Sequence, residues 1–181
     1  GADVRMIYSA LDAFNIAMSN PMRQVVFFAI GFETTTPPTA SIILKARTAG
    51  LTNFSVLCNH VLTMPAIEAI LTQSSAQPLQ GIVGPAHVST VIGSQPYLSI
   101  AKRFQMPIVI SGFEPLDLLQ GILMLLRQAN EGRAEVENEF TRAVTPAGNH
   151  KAQLQVEEVF EMRDVFEWRG LGSLPASGLK I

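Results

Sequence analysis

Residues 25–38, VVFFAIGFETTTPP, decide how the rest of the chain is read. The six apolar residues 25–30 have the length of a strand and show no polar alternation, so they predict a strand covered on both faces, as in a parallel sheet. The run stops at Gly31. Pro37 is tolerated in the first turn of a helix, and Gly50 marks a stop, so a helix is expected between them. Strand, turn and helix in that order are the first half of a βαβ unit. Working outward, further strands are expected over 4–8, 54–58, 81–83 and 107–110, and helices over 10–19, 65–73, 97–104 and 115–128. This alternation predicts an α/β fold, a mostly parallel sheet of about five strands with helices on both faces, Rossmann-like. All 181 residues are expected to form one α/β domain, with 1–130 the βα core and 131–181 a helix/turn extension and arm. Within that extension 136–144 is ambiguous, 145–148 is a turn, 152–160 leans helical, and the glycine- and proline-rich tail 168–181 reads as irregular chain.

The chain is 48% hydrophobic with mean hydropathy +0.26, which suits a packed core rather than disorder. Only 15% of residues are charged, a hint that some surface is covered by another domain or a partner. The net charge of −2 with no basic run argues against nucleic acid. Cys58 is the single cysteine, which excludes a disulfide framework or a cysteine cage within these residues. No apolar run reaches membrane-spanning length, and no signal peptide opens the sequence. A chain opening on Gly1 rather than Met is expected to be a piece of something longer.

Parallel strands place their C-terminal ends at one edge of a sheet, where open α/β folds bind ligands. The expected edge segments are Ser9, then 31–36, Asn59-His60, 84–89 and 111–114. They bring His60, His87, Glu33 and Glu114 together with three threonines. Each has a plainer reading. Thr35 or Thr36 can cap a helix, and Glu33 and Glu114 are favoured near helix starts by the helix dipole. His87 and His60 can be turn histidines or proton carriers. His150 is expected to face solvent at a helix start, and Cys58 to be a small buried thiol. Residues 115–128 are apolar nearly all round, which predicts a central core helix or one that packs on a partner. No phosphate loop, GxGxxG, GxSxG, HExxH or CxxC is present. A second reading, an enzyme or nucleotide-binding domain taking a phosphate at the 31–36 turn, stays open at this point.

Five stretches in order, VVFFAIGFETTTPPTA, GPAHVSTVIG, ISGFEPLDLLQGILMLLRQ, VENEFTRAVTPAGNHKAQ and WRGLGSLPASGL, resemble the HypD family of hydrogenase maturation factors. The resemblance runs over almost the whole chain. It implies a cytoplasmic scaffold on which the Fe(CN)2CO unit of NiFe-hydrogenase is assembled, working with a HypC-like chaperone and a HypE-like cyanide donor. It implies iron and a 4Fe-4S cluster for a full-length member, but no cofactor in these residues, because Cys58 matches none of the family's cysteine motifs. The family's motifs fall on Gly31, Phe32, Glu33, Thr34 and Thr35, and on His87, Val88 and Ser89. The implied roles are catalytic for His87 and Glu33, and ligand-binding for the others, lining a cleft. Ala86 stands where the family pattern has glycine, and a positive φ there would strain alanine.

Overall fold

The computed structural model describes residues 1, 3–73 and 79–181. Regular structure begins with α1 (Ala10–Ser19), where Ser9 is the extended N-cap and its N–H donates to the Asp12 carboxylate at 3.0 Å. That bond satisfies a donor the helix start leaves over. Residues 4–8 form no strand, and Val4, Met6 and Tyr8 are largely exposed. A strand needs a neighbour to take its N–H and C=O groups; this segment lines a cavity with Val25, Val26, Phe27 and Phe28 but pairs with no strand among the described residues. Ser9 is therefore a helix cap rather than a sheet-edge loop.

β1 (Val25–Gly31) and β2 (Phe54–His60) pair in parallel, Val25 opposite Phe54 and Gly31 opposite His60. The crossover between them is α2 (Thr36–Thr48), with proline in its first turn. Asn59 and His60, expected in a loop, are the last two residues of β2. One face of the pair packs on α1 and α2, where Phe27 and Phe54 meet Phe14, Ile42 and Ala46. The other face bares Val26, Phe28, Ile30 and Leu57, each more than half exposed. The expectation of burial on both faces fails here because helices cover only one of them among the described residues.

After α3 (Thr63–Gln73) come β3 (Ile82–Pro85), α4 (Ala86–Ile92), α5 (Pro96–Phe104), β4 (Ile108–Ser111), α6 (Pro115–Glu131), β5 (Val136–Asn138) and α7 (His150–Val159). β3, β4 and β5 form a parallel sheet with β4 central, and all four β4 residues are buried. The chain is thus α/β with five parallel strands, as the alternation implies. They lie in sheets of two and three rather than one, and β5 takes the place expected for 4–8. Tyr97, Ile100, Ile108 and Ile110 are the fully buried centre of the three-stranded unit.

α7 starts as expected, with His150 exposed and the Asn149 side chain accepting from the Ala152 N–H. It packs on α2 and α4. The tail is more ordered than its composition suggests. β6 (Glu161–Met162) pairs antiparallel with β9 (Leu179–Lys180), and β7 (Val165–Trp168) with β8 (Gly172–Pro175). Arg163 ties it to β2, donating to the Cys58 carbonyl at 2.8 Å and the Leu179 carbonyl at 2.9 Å. α6 is not the central core helix expected: its buried residues are Asp117, Gly121 and Gln128, while Leu116, Leu118, Leu119, Leu123 and Leu126 face outward and Leu125 packs toward Gly81. Among the described residues no helix is long and apolar enough to cross a membrane.

Candidate functional site

The turn after β1 is built from the inside. Gly31 has φ +129 and its carbonyl accepts the Val61 N–H. A side chain there would collide with Thr35. Thr35 holds the N-cap position of α2 but does not cap it; its hydroxyl donates back to the Phe32 carbonyl at 2.9 Å. Thr36, buried in the first helical turn, donates to the Glu33 carbonyl at 3.0 Å. Thr34 and Phe32 face solvent, with Phe32 lying 6.2 Å from the Trp168 ring.

Glu33 turns inward and is only 6% exposed. Its two carboxylate oxygens accept the Thr63 N–H at 2.8 Å and the Thr63 hydroxyl at 2.7 Å. A buried carboxylate is stable only with such donors, and here it also closes the N-terminus of α3. A cavity of about 260 Å³ opens beside it, walled by Thr36, Leu62, Val91, Gln153 and Phe160. The turn offers an anion little. α2 begins Thr-Pro-Pro, so its first turn lacks two N–H donors, and the Thr35 and Thr36 hydroxyls already serve carbonyls.

His60, 1% exposed, lies behind this turn, its Nε2 3.1 Å from the Thr39 hydroxyl and its Nδ1 3.4 Å from the Gly31 carbonyl. Burial holds its imidazole below the ordinary value of 6.5, against the smaller opposing effect of the Gly31 carbonyl. The unfolded chain then takes the proton more readily than the folded one, so stability falls as pH drops below that value and recovers as pH rises. Urea midpoints at about pH 5 and pH 7.5 should show the loss at the lower pH, and His60→Gln should reduce it. An unchanged pH dependence in the variant would sink this assignment.

The second motif sits at the C-terminal end of β3. Ala86 is the first residue of α4 and is not among the residues with positive φ, so the alanine carries no strain. Val88 and Ser89 point into the core, where the Ser89 hydroxyl bonds the Pro85 carbonyl and the Tyr97 phenol, both at 2.9 Å. Burial pushes the Tyr97 hydroxyl up to about 12, so it stays a neutral hydrogen-bonding group. His87 is exposed, and its ring stacks on Phe113 with centroids 4.7 Å apart and planes at 11°.

Phe140 lies 6.1 Å from His87, and the Arg142 guanidinium sits 3.8 Å over the Phe140 ring. Arg142 donates to Asp117 at 3.0 Å and to Glu114 at 3.2 Å, and beside it the Asp117 carboxyl is held below the usual carboxylate range. Phe113 falls in the expected edge segment 111–114, whereas Phe140 and Arg142 are parts of this edge that the sequence reading does not place there.

The two motifs share a neighbourhood but not one surface. Glu33 and Thr36 line the cavity with Val91 and Ile92 from the far end of α4, while His87 occupies the other end of that helix. Cys58 is buried with its thiol 3.3 Å from the Leu179 carbonyl. A 4Fe-4S cluster takes about four thiolates, so the residues present do not fit one. Among the described residues no three His, Cys, Asp or Glu side chains gather as a metal site.

The family model described as "HypD: Hydrogenase formation hypA family" matches residues 1–181. The hydrogenase maturation factor HypD of Azotobacter vinelandii is 60% identical over 185 residues, covering 100% of this chain and 49% of the relative. The HypD of Escherichia coli is 44% identical over 181 residues, covering 100% of this chain and 48% of the relative. A hydrogenase expression/formation protein HupD from Azotobacter chroococcum is 61% identical over 184 residues, 99% of this chain and 48% of that protein. The chain therefore spans about half the length of the curated relatives it matches.

Proposed function

The chain belongs to the HypD family of hydrogenase maturation factors, and from that membership we propose that it is part of an assembly scaffold for the Fe(CN)2CO unit of NiFe-hydrogenase. It acts in the cytoplasm as a cleft wall and partner-docking surface, with a HypC-like chaperone and a HypE-like cyanide donor as partners. Iron is cargo here, ligated by groups outside these residues. The observation that carries this reading is the exposed His87 ring, stacked on Phe113 at the C-terminal edge of a parallel sheet, inside a motif that resembles the family's. An imidazole held in that way can offer a proton or a hydrogen bond to an anionic ligand set. Thr34 and Phe32 supply the exposed part of the second motif. Glu33 and Ser89 act through the backbone they hold: Glu33 anchors the turn to α3, and Ser89 anchors α4 to Tyr97.

Native mass spectrometry of this chain, alone and mixed with a HypC-like chaperone, tests the docking role. A one-to-one complex formed without metal is the expected result. Absence of any complex would remove docking from these residues and leave only the cleft wall. His87→Ala should leave the complex intact, because the ring is assigned to the cargo side rather than to docking.

A further inference from the structure

His87 and Phe113 are both exposed, Phe113 by 64%, yet their rings lie stacked. A stack between two exposed side chains gains little more than the rotamer freedom it costs them. The backbone must therefore already bring the rings together. His87 has that support from α4, whose Val88 and Ser89 are buried beside it. Phe113 lies in the short link 112–114 between β4 and α6, and its support comes from the next strand along. Arg142, in the turn after β5, reaches across to the buried Asp117 with both terminal nitrogens and to Glu114 at 3.2 Å. The same guanidinium lies 3.8 Å over the Phe140 ring. Phe140 is buried and presses on Gly112, where any side chain would run into its ring and into Asp117. One guanidinium thus holds both ends of the link, residue 112 through Phe140 and residue 114 directly.

We propose that Arg142 is a positioning residue for His87: it ties the 112–114 link to the turn after β5, so that Phe113 stacks on the imidazole and Phe140 forms the second wall of an aromatic slot. An imidazole N–H donates in the plane of its ring, so fixing the plane fixes the direction of the hydrogen bond. The two aromatic walls hold no acceptor of their own, which leaves the outer edge of the ring free. A lysine could not do the same work, because a compact ammonium neither forks onto a carboxylate nor lies flat on a ring. The use of this geometry rests on the scaffold role proposed for His87, but the geometry can be tested without it.

Proton–carbon NMR of the full 181-residue chain reads the stack directly, since a proton lying over an aromatic ring is shifted upfield. The imidazole C–H signals of His87, assigned by their loss in His87→Ala, should lie upfield of those of the exposed His150. Phe113→Leu should abolish that displacement. Arg142→Gln and Arg142→Lys should each remove most of it while circular dichroism reports an unchanged fold. Glu114→Gln loses only the exposed arm of the clamp and should move the signals part of the way, which keeps the test readable if the Arg142 variants unfold. Signals that stay upfield in folded Arg142→Gln, or in Glu114→Gln where the former unfolds, would reduce Arg142 to a stabilising contact and overturn the proposal. Signals that are not upfield in the parent chain would overturn it as well. The second arm is hydrogenase maturation by a full-length relative whose matching half is replaced by this chain. Arg142→Gln should lower it, and adding His87→Ala should lower it no further than His87→Ala alone. Maturation lost in His87→Ala but intact in Arg142→Gln overturns the positioning. Maturation intact in His87→Ala removes the scaffold role of that ring and leaves the NMR result standing.

Discussion

Gly93→Ala is expected to lower stability by about 4 kcal/mol. Gly93 has φ +82 at the end of α4, and Gly148 has φ +71 in the turn before α7. The two turns approach backbone to backbone: Gln95 N–H donates to the Pro146 carbonyl at 3.1 Å, and Asn149 N–H donates to the Val91 carbonyl at 3.0 Å. A Cβ on Gly93 runs into the Pro146 carbonyl, and one on Gly148 runs into the Val91 carbonyl. Neither obstacle is a flexible side chain that can swing away. The backbone of residue 93, with ψ −177, lies in a region essentially reserved for glycine. The strain costs about 1–2 kcal/mol, and two or three parted hydrogen bonds add about 1 kcal/mol each. For a chain of this size the melting temperature should fall by roughly 8–16 °C. Gly50→Ala is the control, since Gly50 also has positive φ but open space around its α-carbon. It should cost only about 1 kcal/mol. If the two variants lose the same stability in urea, close approach is not what Gly93 provides.

The second large effect is at Glu33. Glu33→Ala removes both acceptors of Thr63 and leaves a buried N–H and a buried hydroxyl unpaired beside an existing cavity. The expected loss is about 3 kcal/mol. Glu33→Gln keeps one acceptor and should lose about 1–2 kcal/mol. Thr63→Val removes only the hydroxyl, so its effect and that of Glu33→Ala should be strongly non-additive in the double variant. Additive losses would mean that the pair does not hold the turn to α3. In that case Glu33 would have to be explained by contact with cargo instead.

That position shows how the candidate site could and could not be read beforehand. The hydroxyls and carboxylate of 31–36 are visible as an unusual cluster at a strand end, and the fold does place them after β1. Which of them face outward is invisible, because direction depends on Thr63, some 30 residues away in the chain. Val88 and Ser89 flank His87 in the motif, yet they turn into the core because α4 buries the face they occupy. Phe113 follows β4, while Phe140 and Arg142 share the segment after β5; the two aromatics meet His87, and Arg142 covers Phe140, only because β3, β4 and β5 pair in register.

The sequence by itself determined the local grammar of this protein. The alternation of apolar runs with longer amphipathic stretches implied parallel strands joined by helices, and prolines and glycines marked the ends of α2, α5 and α6. These features are set by neighbours a few residues apart, through backbone sterics and hydrogen-bond periodicity. Tertiary structure alone decided the division of five strands into two sheets, the exposed face of β1, the loss of a strand at 4–8, the pairing of the tail, and the outward turn of the α6 leucines. Each is a question of what lies on the other side of an element. An apolar pattern records that a surface must be covered, but only contacts between distant segments decide what covers it.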